Sequence, residues 1–98
     1  MLYRIYTADI NRAATLAVVA KAYDSFTAIE ALGYFKGTAE PSLVIELLTE
    51  DSWRDRSKVT TLADAIRQLN NQQAVLVSCC AEWHFSAIAP REPRGSCV

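Results

Sequence analysis

Six side chains have types and spacing that suit chemistry on the surface of a β-sheet. They are Arg4, Tyr6, Tyr34, Glu46, Glu82 and His84. Each occupies an even position of a predicted strand, and alternate residues of a strand point to the same face. We predict that all six bind a ligand. The candidate catalytic residues are the ones best suited to transferring a proton or holding an anion: His84, Glu46, Tyr6 and Arg4.

The same residue types also have a purely structural use, which the sequence leaves open. Arg4 is expected to reach Glu46 or Glu82 on a neighbouring strand, and such a pair can simply satisfy charges at an interface. A lone histidine next to Trp83 is more typical of a structural or surface residue than of a catalyst. Glu82 and His84 lack the further ligands that a metal needs, so we expect no metal and no cofactor.

The elements that must position these residues follow the order β-α-β-β-α-β. Aromatic and β-branched runs predict strands, and apolar residues at i, i+3, i+4 and i+7 predict helices. The predicted strands are 2–9, 26–35, 42–49 and 73–85, and the predicted helices are 12–23, capped by Asn11, and a second around 59–69. Gly, Pro and polar residues predict a turn and a linker at 36–41 and 50–57.

This order predicts a ferredoxin-like α+β sandwich. Two right-handed βαβ crossovers joined by a hairpin give a four-stranded antiparallel sheet of order 4-1-3-2, with both helices on one face. A chain of 98 residues is long enough to bury one core. We predict a single domain over residues 1–85 and a C-terminal tail over 86–98.

Alternation along the strands assigns each residue to the helix-covered face or to the open face. The predicted covered set is Tyr3, Ile5, Ile29, Ala31, Leu43, Ile45, Leu47, Val75, Val77 and Cys79. The predicted open set is Arg4, Tyr6, Ala28, Glu30, Leu32, Tyr34, Val44, Glu46, Leu48, Leu76, Ser78, Cys80, Glu82 and His84. The predicted core stripes of the helices are Ala13, Leu16, Ala17, Ala20 and Tyr23, then Val59, Leu62, Ala63, Ile66 and Leu69.

The open set mixes large apolar residues with ionisable ones, which is unusual for a surface that only meets water. We therefore predict a homo-oligomer, most simply a dimer, that associates through this face. One function class that fits is an oligomeric binding or regulatory module holding a small molecule or a protein. The alternative is a small dimeric α+β-barrel-type enzyme that acts on a small organic molecule between two sheets.

Charge and composition argue against other partners. The chain carries 10 Lys and Arg against 11 Asp and Glu, whereas nucleic-acid binding needs a concentrated basic stripe. The third strand, SLVIELL, also has no aromatic residue to stack on RNA bases. No apolar run reaches the roughly 18–20 residues of a membrane span. We expect neither nucleic-acid nor membrane binding, and a cytoplasmic location.

The three cysteines, Cys79, Cys80 and Cys97, do not suggest a disulfide framework. Their number is odd, and two of them are adjacent, so they point to opposite faces of a strand. We expect reduced thiols, as is usual in the cytoplasm.

The predicted hairpin carries a specific pattern of residues. Positions 33–46 read GYFKGTAEPSLVIE. This segment resembles the G-aromatic-x-G-x-x-E-x-S-apolar-apolar-apolar-E hairpin of short, uncharacterised bacterial and phage proteins. The element order is also similar to that of nitrogen-regulatory PII-like proteins, which would imply a loop that grips a ligand. By its own chemistry the segment is a turn, in which Gly37 supplies positive φ and Glu40 and Ser42 bind backbone amides.

Overall fold

The computed structural model describes residues 1–49 and 53–80. In these residues the elements are β1 (Leu2–Ala8), α1 (Arg12–Ala22), β2 (Thr27–Phe35), β3 (Thr38–Leu48), α2 (Trp53–Leu69) and β4 (Leu76–Cys80). The strands form one antiparallel sheet of order β2-β3-β1-β4. Read from the other edge, this is the predicted order 4-1-3-2, and the ferredoxin-like α+β fold is confirmed. The predicted strand segment 81–85 and the tail 86–98 lie outside the described residues.

The core lies between the sheet and the two helices. Its largest buried residues alternate along β1 and β3 and follow one stripe of α2. They are Tyr3, Ile5, Leu43, Ile45, Leu47, Val59, Leu62 and Ile66. The predicted faces of β1 and β3 are therefore confirmed, as is the stripe of α2 apart from its last member, the 40% exposed Leu69. Over the residues described, neither helix is long and apolar enough to cross a bilayer.

The core-facing side of helix α1 is only partly the predicted one, because Leu16 and Tyr23 of the predicted stripe pack against the core but its alanines do not. Thr15 and Val19 are buried, and Leu16, Val18 and Ala22 pack against the core. The alanines of the predicted stripe are exposed; they are Ala13, Ala17 and Ala20. The physical reason is burial area, because the larger valine and leucine side chains remove more apolar surface from water than an alanine stripe does.

A polar network ties the start of α1 to the end of α2. Asn11, predicted to cap α1, makes no side-chain capping bond. Its amide donates instead to Asn70 Oδ1 at 3.3 Å, and Asn70 Nδ2 donates to Thr15 Oγ1 at 3.0 Å. Asn70 and Thr15 are both buried. Their polar groups are therefore paired inside the core, which holds the two helix ends together.

The turn between β2 and β3 is shorter than predicted. It consists of Lys36 and Gly37, both with positive φ, as two-residue type I′ hairpin turns require. Strand β3 therefore begins at Thr38 and includes Pro41. The Pro41 carbonyl accepts from the Asp9 amide. The nitrogen and carbonyl of one strand residue point to the same side, so the Pro41 nitrogen also faces β1. It lies just beyond the last β1–β3 pair, Ala8–Ser42. A proline at this position costs no ladder hydrogen bond.

The short turn also decides the faces of β2, and here the prediction is wrong. Ile29 pairs with Val44, and Glu30 pairs with Leu43. Directly paired residues share a face, so the odd residues of β2 lie on the open face and the even residues on the helix side. Among the even residues are Ala28, Glu30, Leu32 and Tyr34, all predicted to be open. Every residue of β2 except Gly33 is exposed, so burial provides no alternation from which to read this strand.

Candidate functional site

The open face is organised in rows that run across the strands. An apolar row crosses all four strands and consists of Ile29, Val44, Tyr6 and Leu76. On one side lies a polar row of Thr27, Glu46, Arg4 and Ser78, followed by Leu48, Leu2 and Cys80. On the other side lies a row of short side chains, which we call the small row: Ala31, Ser42 and Ala8. The small row therefore lies at one end of the face, beside a row of larger side chains.

A groove of about 620 Å³ lies over the small row. Tyr6, Val44 and Leu76 line one side of it, and Phe35 and Glu40 line it from the hairpin. The loop before β4 completes the groove with Gln72, Ala74 and Val75. This volume is within the range of small-molecule sites, which are mainly apolar with a few polar groups. Within the described lining, Glu40 is the one charged residue.

Gly33 keeps the hairpin end of the groove open. A Cβ atom built at this position would lie 2.5 Å from Ser42 Oγ, closer than real contacts allow. Ser42 Oγ donates to the Glu40 carbonyl at 3.3 Å, so this hydroxyl does not bind a backbone amide as predicted. A side chain at 33 would force the Ser42 hydroxyl to rotate and would narrow the groove.

Three of the candidate catalytic residues are described, and only Tyr6 lines the groove. Arg4 Nε donates to Glu46 Oε2 at 2.7 Å, which confirms the predicted pair, and this bond raises the pKa of Arg4. The Tyr6 hydroxyl lies 3.4 Å from Ser78 Oγ, which donates to it. Glu46 instead lines a second groove, about 540 Å³, at the opposite end of the face. The polar row therefore stands beside the first groove rather than in it.

Two of the four β2 residues predicted to lie on the open face, Tyr34 and Glu30, have polar side chains, and the structure places both elsewhere. Tyr34 lies on the helix side of the hairpin, 71% exposed, with part of its surface at the rim of the groove. Glu30 accepts from Arg12 Nη1 at 2.5 Å. The same guanidinium donates to Asp9 and lowers the pKa of that carboxyl. Glu30 therefore ties the edge strand to α1 and is not available for proton transfer on the open face.

Glu82 and His84 lie outside the described residues. Cys80 is an exposed free thiol on the open face, whereas Cys79 is disulfide-bonded, so the expectation of reduced thiols is wrong for Cys79. In residues 1–49 and 53–80, no three His, Cys, Asp or Glu side chains are grouped to hold a metal.

Glu40 and Gln72 were not among the predicted site residues. Glu40 belongs to the hairpin pattern, which marks the residue in the sequence but predicts only a role in the turn. Gln72 carries no such signal. It follows α2 in a polar run, and only the folded chain places it beside β1, where Thr7 Oγ1 donates to its Oε1 at 2.5 Å.

Comparisons with known proteins add a likeness of fold. No protein-family model matches the chain, and no curated protein matches it. Among solved structures it is similar to a phage SAM lyase in the apo state, with a TM-score of 0.58 and 17% identity over 78% of this chain and 75% of that chain. It is also similar to phage SAM lyase in complex with S-methyl-5′-thioadenosine, with a TM-score of 0.56 and 17% identity over 78% and 76% of the two chains. At this identity the likeness establishes a shared fold.

Proposed function

We propose that this chain is a small enzyme that binds S-adenosylmethionine (SAM) in the groove over the small row and releases S-methyl-5′-thioadenosine. The observation that carries the proposal is an apolar, aromatic groove with one carboxylate, on a fold similar to a SAM lyase over 78% of the chain. One of those lyase structures holds S-methyl-5′-thioadenosine. The proposal favours the enzyme alternative over the binding module.

The groove lining suits both parts of this substrate. Tyr6 and Phe35 offer aromatic surface for a flat purine. A sulfonium is a cation, and cations are attracted to aromatic faces and to carboxylates. Glu40 supplies the carboxylate from the hairpin. The lining thus combines an apolar surface for the nucleoside with a negative charge for the sulfonium.

The reaction needs little from the protein beyond binding. In the proposed step the bond between the four-carbon fragment and sulfur breaks, and its electron pair passes to sulfur, which leaves as a neutral thioether. A carboxylate oxygen of the fragment forms the new bond to the carbon that leaves sulfur and closes a lactone ring, so the step balances without water, a base or an oxidant. A groove that excludes water and stabilises the sulfonium favours such a step.

The test is direct detection of the product. Purified protein incubated with SAM should form S-methyl-5′-thioadenosine above the spontaneous rate, measured by liquid chromatography with mass spectrometry. Glu40→Gln should weaken binding of cationic SAM at least about fivefold, and should leave binding of the neutral thioether unchanged. Binding of the neutral thioether is therefore the control measurement for this variant. Binding of both ligands without turnover would favour the binding module, and binding of neither would exclude the proposal.

We also propose that the open face mediates self-association with a second copy of this chain. Two apolar rows flank the polar row, and Leu48 and Leu76 are 67% and 64% exposed. Arg4 and Glu46 lie side by side on the central strands. In a face-to-face dimer, a two-fold axis that runs parallel to β1 and β3 and passes between them sets Arg4 of one copy opposite Glu46 of the other. The face is then complementary to itself. A second copy would also cover the groove and exclude water from it.

Sedimentation at micromolar concentration is expected to give a species heavier than the 10.9 kDa chain. Leu48→Lys should shift it to monomer, because a charge in an apolar contact is costly to bury. Leu69→Lys is the matched control, since Leu69 is 40% exposed on α2, away from the open face and its groove. A wild-type monomer, or equal effects of the two variants, would refute association through this face.

A further inference from the structure

Gln72 is held in one place by its backbone and by its side chain. Its amide nitrogen donates to the Arg67 carbonyl at 2.9 Å, and Asn71, with φ 52°, turns the chain out of α2. Its carbonyl accepts from Arg67 Nη1 at 3.5 Å. Just before it, buried Asn70 is bonded to both Asn11 and Thr15. Gln72 is therefore held in a defined position at the end of α2, as a residue that binds a ligand specifically must be.

The distance to Thr7 identifies the outward-facing half of the Gln72 side chain. Thr7 is 2% exposed, and its Oγ1 lies 2.5 Å from Gln72 Oε1. This separation lies at the short end of the range of O–H···O bonds and below the range of N–H···O bonds. The hydroxyl thus donates and the amide oxygen accepts. Both hydrogens of Nε2 stay free, and Nε2 has no hydrogen-bond partner among the described residues.

The surroundings of Gln72 specify the kind of ligand atom that it meets. Gln72 lines the main groove and also a smaller adjoining one of about 260 Å³. Its neighbours in both grooves are Ala8, Phe35 and Ala74, together with the carboxylate residue Glu40. A neutral donor among apolar and aromatic side chains matches a neutral, flat ring with an acceptor nitrogen. The amide oxygen already accepts from Thr7, so Nε2 is the half of the amide that has no partner among the described residues.

We propose that Gln72 recognises the purine base by donating from Nε2 to an acceptor nitrogen of the adenine ring. This inference rests on the proposed function, because it assumes an adenosine-containing ligand in the groove. It makes Gln72 a specificity-determining residue and Thr7 the positioning residue that orients it. The pair contributes to base selection through a ring nitrogen that accepts from Nε2.

The experiment measures binding of S-methyl-5′-thioadenosine and its 1-, 3- and 7-deaza analogues by titration calorimetry. In the wild type, one analogue should bind roughly three- to tenfold more weakly than the parent, as loss of one neutral hydrogen bond predicts. Gln72→Leu should weaken the parent by a similar factor and abolish the discrimination against that analogue. The Ala8 carbonyl, 3.3 Å from Thr7 Oγ1, remains as a partner for the hydroxyl, so this variant should fold.

Two further variants complete the test. Gln68→Leu is the matched control, because Gln68 lies on exposed α2 surface and bonds Asp64; binding should not change. Thr7→Val should weaken the discrimination among the analogues while Gln72 is still present. Wild-type binding with equal affinities in Gln72→Leu would overturn the role of Gln72 and leave the proposed function intact. Absence of wild-type binding to the parent thioether would overturn both.

Discussion

Ala31→Phe should abolish ligand binding in the groove while the protein stays folded. Ala31 lies in the small row, on the exposed edge strand β2, and lines the groove. A phenyl ring there would fill the space that the short side chain leaves for a purine. Affinity for S-methyl-5′-thioadenosine is expected to fall at least about tenfold, or 1.4 kcal/mol. Stability should change by less than about 0.5 kcal/mol, because the position is on the surface.

Thr27→Phe provides the matched control for this prediction. Thr27 is on the same strand and the same face, two rows away in the polar row, and it does not line the main groove. Its replacement should leave calorimetric binding unchanged, and thermal melting should show both variants folded. Full affinity in Ala31→Phe would place the ligand elsewhere. An equal loss in both variants would point to a general effect on the sheet.

Ile45→Ala is expected to destabilise the fold by about 2–5 kcal/mol, measured by urea denaturation. Ile45 is completely buried in the middle of β3, beneath the helices, and it pairs with Ile5. Truncation removes buried apolar surface and leaves a cavity among rigid neighbours. Because a domain of this size is stable by only about 5–15 kcal/mol, the loss would be a large fraction of the total.

Val44→Ala tests the same strand from its other face. Val44 is half-buried on the open face, in the apolar row, so in the monomeric Leu48→Lys background its truncation should cost only about 1 kcal/mol. The difference in free energy of unfolding between the two variants in that background shows which face of β3 carries the core. Equal losses at 44 and 45 in the monomer would contradict a core on one face of β3.

The sequence determined the parts of the fold where one side of an element is covered. Along β1 and β3, every second side chain is buried because the helices cover one face, and the prediction of these faces is confirmed. The predicted apolar stripe of α2 is confirmed, apart from Leu69, because one side of this helix also faces the core. The Arg4–Glu46 pair followed from the strand order, which makes β1 and β3 neighbours and sets these residues opposite each other.

Only the tertiary structure decided the site. Strand β2 is exposed on both faces, so its sequence contains no burial pattern, and the two-residue turn at Lys36 and Gly37 sets its register. That register brings Ala31 beside Ser42 and Ala8 and so creates the groove. Gln72 reaches Thr7 across 65 positions of sequence, which no local pattern can specify. Local chemistry determines which surfaces are buried, whereas contacts between distant segments determine where a ligand can bind.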